Sequence, residues 1–137
     1  MKIFIDTDVI LDFLLDRKPF SDQIGQLFQL SIDTDLQLCI SPTTVTNINY
    51  IIGRIENKKQ ANLKTKKILK LVSVENVCQS TVNKAIQSKF KDFEDGVQNF
   101  CAIEANHKII ITRNTRDYKE SELAIFTPTE YLAKTKI

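Results

Sequence analysis

Three aspartates, Asp6, Asp95 and Asp117, stand where their carboxylates could act together. Asp6 and its neighbour Asp8 directly follow the apolar run KIFI, and Asp117 lies in TRNTRDY after the run KIIIT. Asp95 comes three residues after Asp92 in KDFEDGVQ, a spacing typical of a helix N-cap. Carboxylates that meet at one place repel one another, so without a cation at least one of their pKa values rises strongly. Because oxygen ligands without histidine or thiolate favour Mg²⁺ or Mn²⁺, convergence of these aspartates would indicate a metal site.

The elements that must position these residues are short apolar strands separated by helical segments. The sequence predicts strands at Lys2–Ile5, Leu36–Ile40, Leu71–Val74 and Lys108–Thr112, and an edge strand at Leu123–Phe126. Apolar residues at helical spacing lie between them, with start signals at Ser21, Ser41-Pro42 and Thr127-Pro128. Alternating strands and helices predict an α/β fold. We expect a three-layer α/β/α sandwich around a mostly parallel central sheet of four to five strands.

Such a sheet places the polar residues at one edge. All parallel strands end at the same edge, and each crossover helix begins there. Asp6 follows the first strand and Asp117 the KIIIT strand, while Asn47 and Asp95 lie in the opening turns of two helices. Taken singly, each has a simpler explanation, and Asp8 in particular fits a helix N-cap. Taken together, they are better explained as a metal cluster.

The chain length of 137 residues corresponds to a single domain, residues 1–137. No run of about 18 apolar residues is present, which excludes a transmembrane helix, and the N-terminus turns acidic too early for a signal peptide. The three cysteines, Cys39, Cys78 and Cys101, lack short spacing and favour reduced, buried thiols in the cytoplasm over a disulfide framework or a zinc site. The single histidine, His107, excludes a multi-histidine metal site and is predicted at the surface or in a turn.

Charge is unevenly distributed along the chain. Residues 1–53 carry three basic and seven acidic side chains, whereas Arg54 to Lys70 contains seven basic residues and only Glu56 as an acid. This pattern is compatible with a site that collects cations and a surface that contacts phosphates. The lysines equally fit the solvated face of a helix, and both interpretations stay open.

Three segments resemble the PIN domain, a nuclease fold that includes the toxins of many bacterial toxin–antitoxin pairs. They are IFIDTDVILDFLLDRKPF, SPTTVTNINYII and KDFEDGVQNFCAIEANHKIIITRNTRDYKES, and the resemblance runs from Ile3 to about Leu132. DTD alone is a weak signal, but the ordered set of motifs is specific. The resemblance implies an endoribonuclease that hydrolyses RNA phosphodiester bonds with Mg²⁺ or Mn²⁺. It also implies a homodimer and, for a toxin, a small antitoxin protein as partner.

The resemblance also implies roles for the acidic residues and their neighbours. Asp6, Asp95 and Asp117 match the metal-binding acids of the family, although two other acids lie within one turn of Asp95. Supporting positions at the site are implied for Asp8, Asp92, Asn47, Thr112 and Asn114, where Thr112 and Asn114 are expected to hydrogen-bond the acids or the water around a metal ion.

Contacts to RNA are expected from basic and aromatic side chains. Arg113, Arg116 and the lysines from Lys58 and Lys59 onward are candidates for binding backbone phosphates. Tyr118 or Tyr50 could stack on a base, although the apolar surroundings in INYII favour core packing for Tyr50.

Asn47 departs from the pattern, because many PIN toxins have a glutamate at this position. An amide offers a carbonyl oxygen but no charge, so we expect weaker metal binding and one stably held ion instead of two. The alternative function is a catalytically weak or inactive PIN-like module that binds RNA or a protein partner.

Two other enzyme classes fit the sequence poorly. DTDV after a strand is similar to the Asp-x-Asp motif of haloacid-dehalogenase phosphatases, in which Asp6 would be the nucleophile. TRNTRDY supplies neither the downstream lysine nor the glycine-preceded acidic pair of that family. A Ser–His–Asp or Cys–His hydrolase would need His107 as its base, and this residue is predicted at the opposite end of the sheet.

Overall fold

The structure is a computed structural model that describes residues 1–135. Its strands are β1 (Lys2–Ile5), β2 (Gln37–Ile40), β3 (Ser73–Val74), β4 (Ile109–Ile111) and β5 (Ala124–Phe126). Its helices are α1 (Thr7–Leu14), α2 (Phe20–Asp33), α3 (Pro42–Ile55), α4 (Lys58–Leu69), α5 (Gln79–Gln87), α6 (Phe93–Glu104) and α7 (Pro128–Thr135). A 3₁₀ turn covers Thr115–Tyr118, between β4 and β5.

The five strands form one parallel sheet in the order β3-β2-β1-β4-β5. Phe4 in the central strand is paired with Cys39 on one side and Ile110 on the other. The predicted α/β fold is therefore confirmed, and the additional edge strand is present as β5. The strands are nearly continuous in apolar residues because helices cover both faces of the sheet.

Alternate strand residues point to opposite faces and build two cores. Ile3 and Ile5 pack with residues of α1, α2, α3, α4 and α7 in the larger core. Phe4 and Ile110 face the other way and pack with Cys101 of α6 and with Tyr118 in the smaller core. These two cores, one on each face of the sheet, give the three-layer sandwich. They hold the strands in place, and thereby the polar residues that follow the strand ends.

Local hydrogen bonds set the starts of the helices at the carboxyl edge of the sheet. Asp6 is the N-cap of α1 and accepts a hydrogen bond from the Thr7 backbone N–H at 2.8 Å. Asp92 caps α6 through the backbone N–H of Asp95 at 3.0 Å. The prediction that Asp8 caps α1 is therefore wrong, because the helix begins two residues earlier, at Thr7. Ser21 lies inside α2, where its hydroxyl bonds Asp16 at 2.8 Å, and is not a cap either.

Tyr50 and His107 differ from the prediction in their exposure to solvent. Tyr50 was expected in the core, but 66% of it is exposed, because α3 packs through Ile48 and Ile52. His107 was expected at the surface, yet only 2% of it is exposed. Its ring contacts Phe4 edge-on, and its Nε2 is 2.5 Å from a carboxylate oxygen of Glu75, which provides the polar partner that burial requires.

No helix in residues 1–135 is long and apolar enough to span a membrane.

Candidate active site

A cleft of about 210 Å³ opens at the carboxyl edge of the sheet and is called the acidic cleft here. Six carboxylates and four other residues line it: Asp6, Asp8, Asp92, Glu94, Asp95 and Asp117, with Thr7, Leu11, Gln98 and Asn114. No lysine or arginine is among these lining residues. The fold therefore brings together the three aspartates that the sequence singled out, and it concentrates negative charge around them.

Asp6 lies at the floor of the cleft, at the end of β1. Its Oδ2 accepts a hydrogen bond of 2.8 Å from the hydroxyl of Thr112, which is completely buried after β4. Its Oδ1 accepts the Thr7 N–H, and the side-chain amide of Gln98 donates to it at 3.4 Å. Burial raises the pKa of Asp6, and the hydrogen bonds from Thr112, Thr7 and Gln98 oppose that rise. The hydrogen bonds fix the direction in which both oxygens point.

Asp95 in the first turn of α6 and Asp8 in α1 form the walls. Burial raises the pKa of Asp95 to about 7, with the charges of Asp6, Asp92 and Asp117 adding to the effect. Burial likewise raises the pKa of Asp8 to about 7, with Asp6 as the next cause. The amide of Asn114 donates to Asp8 Oδ2 at 2.9 Å. The raised pKa values of Asp95 and Asp8 mean that their charged forms are disfavoured unless a cation balances the negative charge of the cleft.

Asn47 does not line the cleft; its side-chain amide donates a hydrogen bond to the Glu94 carboxylate at the rim. Burial raises the pKa of Glu94, and the charges of Asp92 and Asp6 add to this. The sequence placed Asn47 beside the metal, whereas the structure places it behind an acid from α6. Glu94 was recognised only as a neighbour of Asp95.

A buried polar network beneath the cleft was not predicted from the sequence. Gln98 is 2% exposed, and its amide donates to the Thr44 hydroxyl at 2.8 Å, while its carbonyl accepts from Ser41. The hydroxyls of Thr7 and Thr44 are 2.8 Å apart. The network joins α1, α3 and α6 under Asp6. Its sequence signal was the position of Gln98, three residues after Asp95 and so on the same side of α6.

Tyr118 is buried below the cleft and is not available to stack on a base. It is 1% exposed and contacts Phe90 edge-on. Burial, together with the negative charges of Asp6 and Asp95, raises the pKa of its hydroxyl. The expectation that Tyr118 binds RNA is therefore wrong, since the 3₁₀ turn directs its ring into the smaller core.

The basic residues predicted to bind phosphate lie in three different places. Arg116 lines a neighbouring cleft of about 220 Å³, which shares Asp92, Asp95 and Asp117 with the acidic cleft. That cleft also contains three lysines missed by the sequence analysis, and with Arg116 they form what we call the basic rim: Lys89, Lys91, Arg116 and Lys119. All four are exposed.

Arg113, Lys58 and Lys59 are placed elsewhere. The Arg113 guanidinium makes two hydrogen bonds with buried Asp12, at 2.7 and 3.1 Å, and lies 4.4 Å from the centre of the Phe20 ring. Lys58 and Lys59 are exposed in the first turn of α4, and neither lines the acidic cleft or its basic neighbour.

The donor set of the acidic cleft fits Mg²⁺ or Mn²⁺. Hard carboxylate oxygens from three segments converge there, and no lysine or arginine lines the cleft to balance their charge. Asp8 Oδ1 is buried and has no hydrogen-bond partner in residues 1–135, so an acceptor is available for a cation or its water. A divalent cation would remove the repulsion that raises the pKa of Asp95.

Comparisons with known proteins agree with this architecture. The family model described as PIN domain matches residues 2–116. Ribonuclease VapC1 from Aquifex aeolicus is 24% identical over 135 residues, which cover 95% of this chain and 92% of that protein. The DNA-bound VapBC structure from Salmonella typhimurium is similar with a TM-score of 0.74 at 15% identity, covering 93% of this chain and 98% of that one. VapC20 from Mycobacterium tuberculosis, a Sarcin-Ricin loop cleaving toxin, gives 0.60 at 14% identity, over 79% and 86% of the two chains.

Proposed function

The chain belongs to the PIN domain family, and from that premise we propose that it is a Mg²⁺- or Mn²⁺-dependent endoribonuclease, the toxin of a toxin–antitoxin pair that acts in the cytoplasm. The observation that carries the proposal is the acidic cleft, in which Asp6, Asp95 and Asp117 converge without a basic residue. The relative named Ribonuclease VapC1 and the relative described as a Sarcin-Ricin loop cleaving toxin support RNA as the substrate. We further propose that residues 1–137 act as one domain.

Asp6, Asp95 and Asp117 would hold the cation, and Asp8 and Glu94 line the same cleft. When bound, the cation supplies a positive charge that polarises the scissile phosphodiester and helps to form hydroxide from water. The protein's own contribution is orientation: Thr112 and Gln98 hold the two oxygens of Asp6, and Asn114 holds Asp8. Side chains fixed in this way need little rearrangement when substrate binds.

RNA would be held by the basic rim beside the cleft. A cleft with six carboxylates repels phosphate, so the backbone needs positive charge close by. Arg116 directly precedes Asp117 and Lys119 follows it by two residues, which places their charges next to this acid. The RNA backbone would cross from the basic rim to the acidic cleft. Lys58 and Lys59 line neither cleft and are not part of this proposed contact.

The partners proposed are an antitoxin protein and a second copy of the chain. The structural relative from Salmonella typhimurium is a VapBC assembly bound to DNA, which supports a toxin–antitoxin pairing for this chain. Light scattering on the purified chain tests the homodimer, and a mass near 15.7 kDa would contradict it. Growth arrest on expression, relieved by co-expression of a small DNA-binding protein encoded beside it, tests the pairing.

The decisive experiment for the nuclease is RNA cleavage with and without Mn²⁺. We expect cleavage that requires Mn²⁺ or Mg²⁺ and falls at least about 100-fold in Asp6→Asn. Asp35→Asn is the matched control, because Asp35 is exposed before β2, at the opposite edge of the sheet. RNA binding without cleavage in wild type would favour the alternative of an inactive PIN-like module. Equal cleavage by wild type and Asp6→Asn would contradict the proposed site.

A further inference from the structure

A second group of ligand-type side chains lies on the α6 face of the sheet, apart from the acidic cleft. It consists of Cys39 in β2, Glu75 directly after β3 and His107 two residues before β4. Each of the three offers one ligand atom, and these atoms all lie within 4.8 Å of one another. Cys39 and His107 are each only 2% exposed. We call this group the Cys–Glu–His cluster.

The chemistry of the cluster differs from that of the acidic cleft. Thiolate and imidazole suit Zn²⁺ rather than Mg²⁺, and zinc sites commonly combine three protein ligands from Cys, His and Glu with one open position. We propose that the Cys–Glu–His cluster is a binding site for a thiophilic divalent cation of the Zn²⁺ class, independent of the acidic cleft. Cys39 Sγ, one carboxylate oxygen of Glu75 and His107 Nε2 are its ligands.

The three ligands already face one another in the folded chain. His107 Nε2 lies 2.5 Å from Glu75 Oε2, which shows that this ring nitrogen points into the cluster. Glu75 is close enough to Cys39 that its charge adds to burial in raising the pKa of the Cys39 thiol to about 11. The backbone fixes this arrangement, because Cys39 is paired in the sheet and the Glu75 N–H bonds Ile40 at 2.9 Å.

A route from solvent reaches the cluster through Glu75. This residue lines a surface cavity of about 580 Å³ together with Lys2, Asn76, Cys78 and Glu104. Lys2 Nζ lies 3.2 Å from Glu75 Oε2 and supplies a positive charge beside the carboxylate in the metal-free protein. Lys2 is about one-third exposed and can swing into water, so it does not block an entering cation.

Charge and proton balance are compatible with binding. In the metal-free protein the Cys39 thiol keeps its proton and Glu75 bonds His107 and Lys2. When Zn²⁺ binds, the thiol proton leaves to solvent and the His107 proton moves from Nε2 to Nδ1. The Glu75–His107 hydrogen bond is replaced by two metal bonds, and Lys2 is released. Thiolate, carboxylate and neutral imidazole then balance the two charges of the ion. No oxidation or reduction is involved.

Sequence spacing could not reveal this site, because its ligands come from three segments more than thirty residues apart. The spacing of the cysteines favoured reduced thiols over a zinc site, and the proposed site departs from that prediction. Parallel β-strands bring the segments together instead. A bound ion would tie β2, the segment after β3 and the start of β4 to one another.

Titration of the full-length protein with Co²⁺ tests the proposal, because a cobalt–thiolate bond gives a charge-transfer absorption band that oxygen ligands do not. We expect one equivalent of Co²⁺ to give this band and one equivalent of Zn²⁺ to remove it. Cys39→Ser should abolish the band. Glu75→Gln should weaken Zn²⁺ affinity by at least about tenfold. Because glutamine has the same shape as glutamate, this variant tests the site even if Cys39→Ser folds poorly.

Three control variants separate this site from its surroundings. Cys78→Ser and Cys101→Ser should retain the band, since neither thiol is one of the three ligands. Asp6→Asn should also retain it, which keeps this result independent of the nuclease proposal. A missing band in wild type, or an unchanged band in Cys39→Ser, would overturn the site. In either case the cluster would be only a hydrogen-bonded group within the core.

Discussion

The side-chain amide of Asn47 in α3 donates a hydrogen bond to the carboxylate of Glu94 in α6. The two helices begin at the same edge of the sheet, so an amide on one can direct an acid on the other. Asn47 brings no charge, but it holds a charged group at the rim of the acidic cleft. The negative charge that a glutamate at position 47 would bring is supplied from α6 instead.

This contact predicts that Asn47 acts on the cation through Glu94. Glu94→Gln should lower Mn²⁺ affinity about three- to tenfold, and Asn47→Ala should lower it less, because the carboxylate stays but moves freely. The double variant should bind Mn²⁺ as Glu94→Gln does, since the two residues act as one unit. Titration calorimetry measures each affinity. Asn49→Ala is the control, because Asn49 bonds Asn62 and Thr65 instead; strictly additive effects of Asn47 and Glu94 would rule the coupling out.

Asp95→Asn should stabilise the metal-free protein. The pKa of Asp95 is raised to about 7 by burial and by neighbouring carboxylates, so the folded state holds this proton more tightly than the unfolded state. Stability is therefore lost as pH rises from about 4 through about 7, and the amide should remove that loss. We expect a gain of about 1 kcal/mol at pH 8, because solvent screens a half-buried carboxylate.

Urea unfolding at pH 5 and pH 8, with and without Mn²⁺, measures this effect. Mn²⁺ should raise the free energy of unfolding of wild type and have much less effect on Asp95→Asn. Asp35→Asn, at an exposed position, should match wild type throughout. A metal-free Asp95→Asn protein less stable than wild type at pH 8 would show that burial and repulsion of the charged carboxylate do not dominate the energy at this position.

Thr112→Val should destabilise the protein by about 1–2 kcal/mol, because the buried Asp6 carboxylate loses its 2.8 Å hydrogen bond without a change in side-chain shape. The loss should shrink in an Asp6→Asn background, where the acceptor is no longer charged. Chemical unfolding of the four proteins measures the coupling. Thr46→Val, which removes an exposed hydroxyl from α3, is the control. An equal loss in both backgrounds would assign the effect to packing or to the hydrogen bond that the Thr112 hydroxyl accepts from the Asn114 N–H at 3.1 Å.

The basic rim, rather than α4, should set RNA affinity. In the non-cleaving Asp6→Asn background, Arg116→Gln with Lys119→Gln should weaken binding of single-stranded RNA and reduce the salt dependence by about 1.4 in the log–log slope, as expected for two lost phosphate contacts. Lys58→Gln with Lys59→Gln removes the same charge from α4 and should leave both quantities near wild type. Fluorescence anisotropy at several salt concentrations measures the RNA affinity of both double variants. An equal loss of affinity in the two would show that RNA contacts α4 as well.

Features with a regular physical period could be predicted from the sequence. The run KIFI before Asp6 and the run KIIIT before TRNTRDY are strands because parallel strands are buried on both faces. Their ends then determine where Asp6 and Asp117 lie. The starts of α3 at Ser41-Pro42 and of α6 at Asp92 could also be predicted, since helix capping depends only on residues close in sequence.

Features that depend on contacts between distant segments could not be predicted. Tyr50 lies in an apolar stretch but on the outer side of α3, and its exposure depends on where α4 packs. His107 is polar and next to a turn, but Glu75 gives it a partner and permits burial. Helix α5 was not predicted, because it packs through the small residues Thr81 and Ala85 and its sequence therefore has no stripe of large apolar residues. Its larger apolar residues, Val82 and Ile86, are 40% and 66% exposed.

The most direct test of the acidic cleft is a crystal grown with Mn²⁺, with anomalous scattering collected above and below the manganese edge. We predict a strong anomalous peak within bonding distance of carboxylate oxygens of Asp6, Asp95 and Asp117. The same peak should be absent from crystals of Asp6→Asn. Well-ordered carboxylates with no manganese between them at saturating Mn²⁺ would contradict the account.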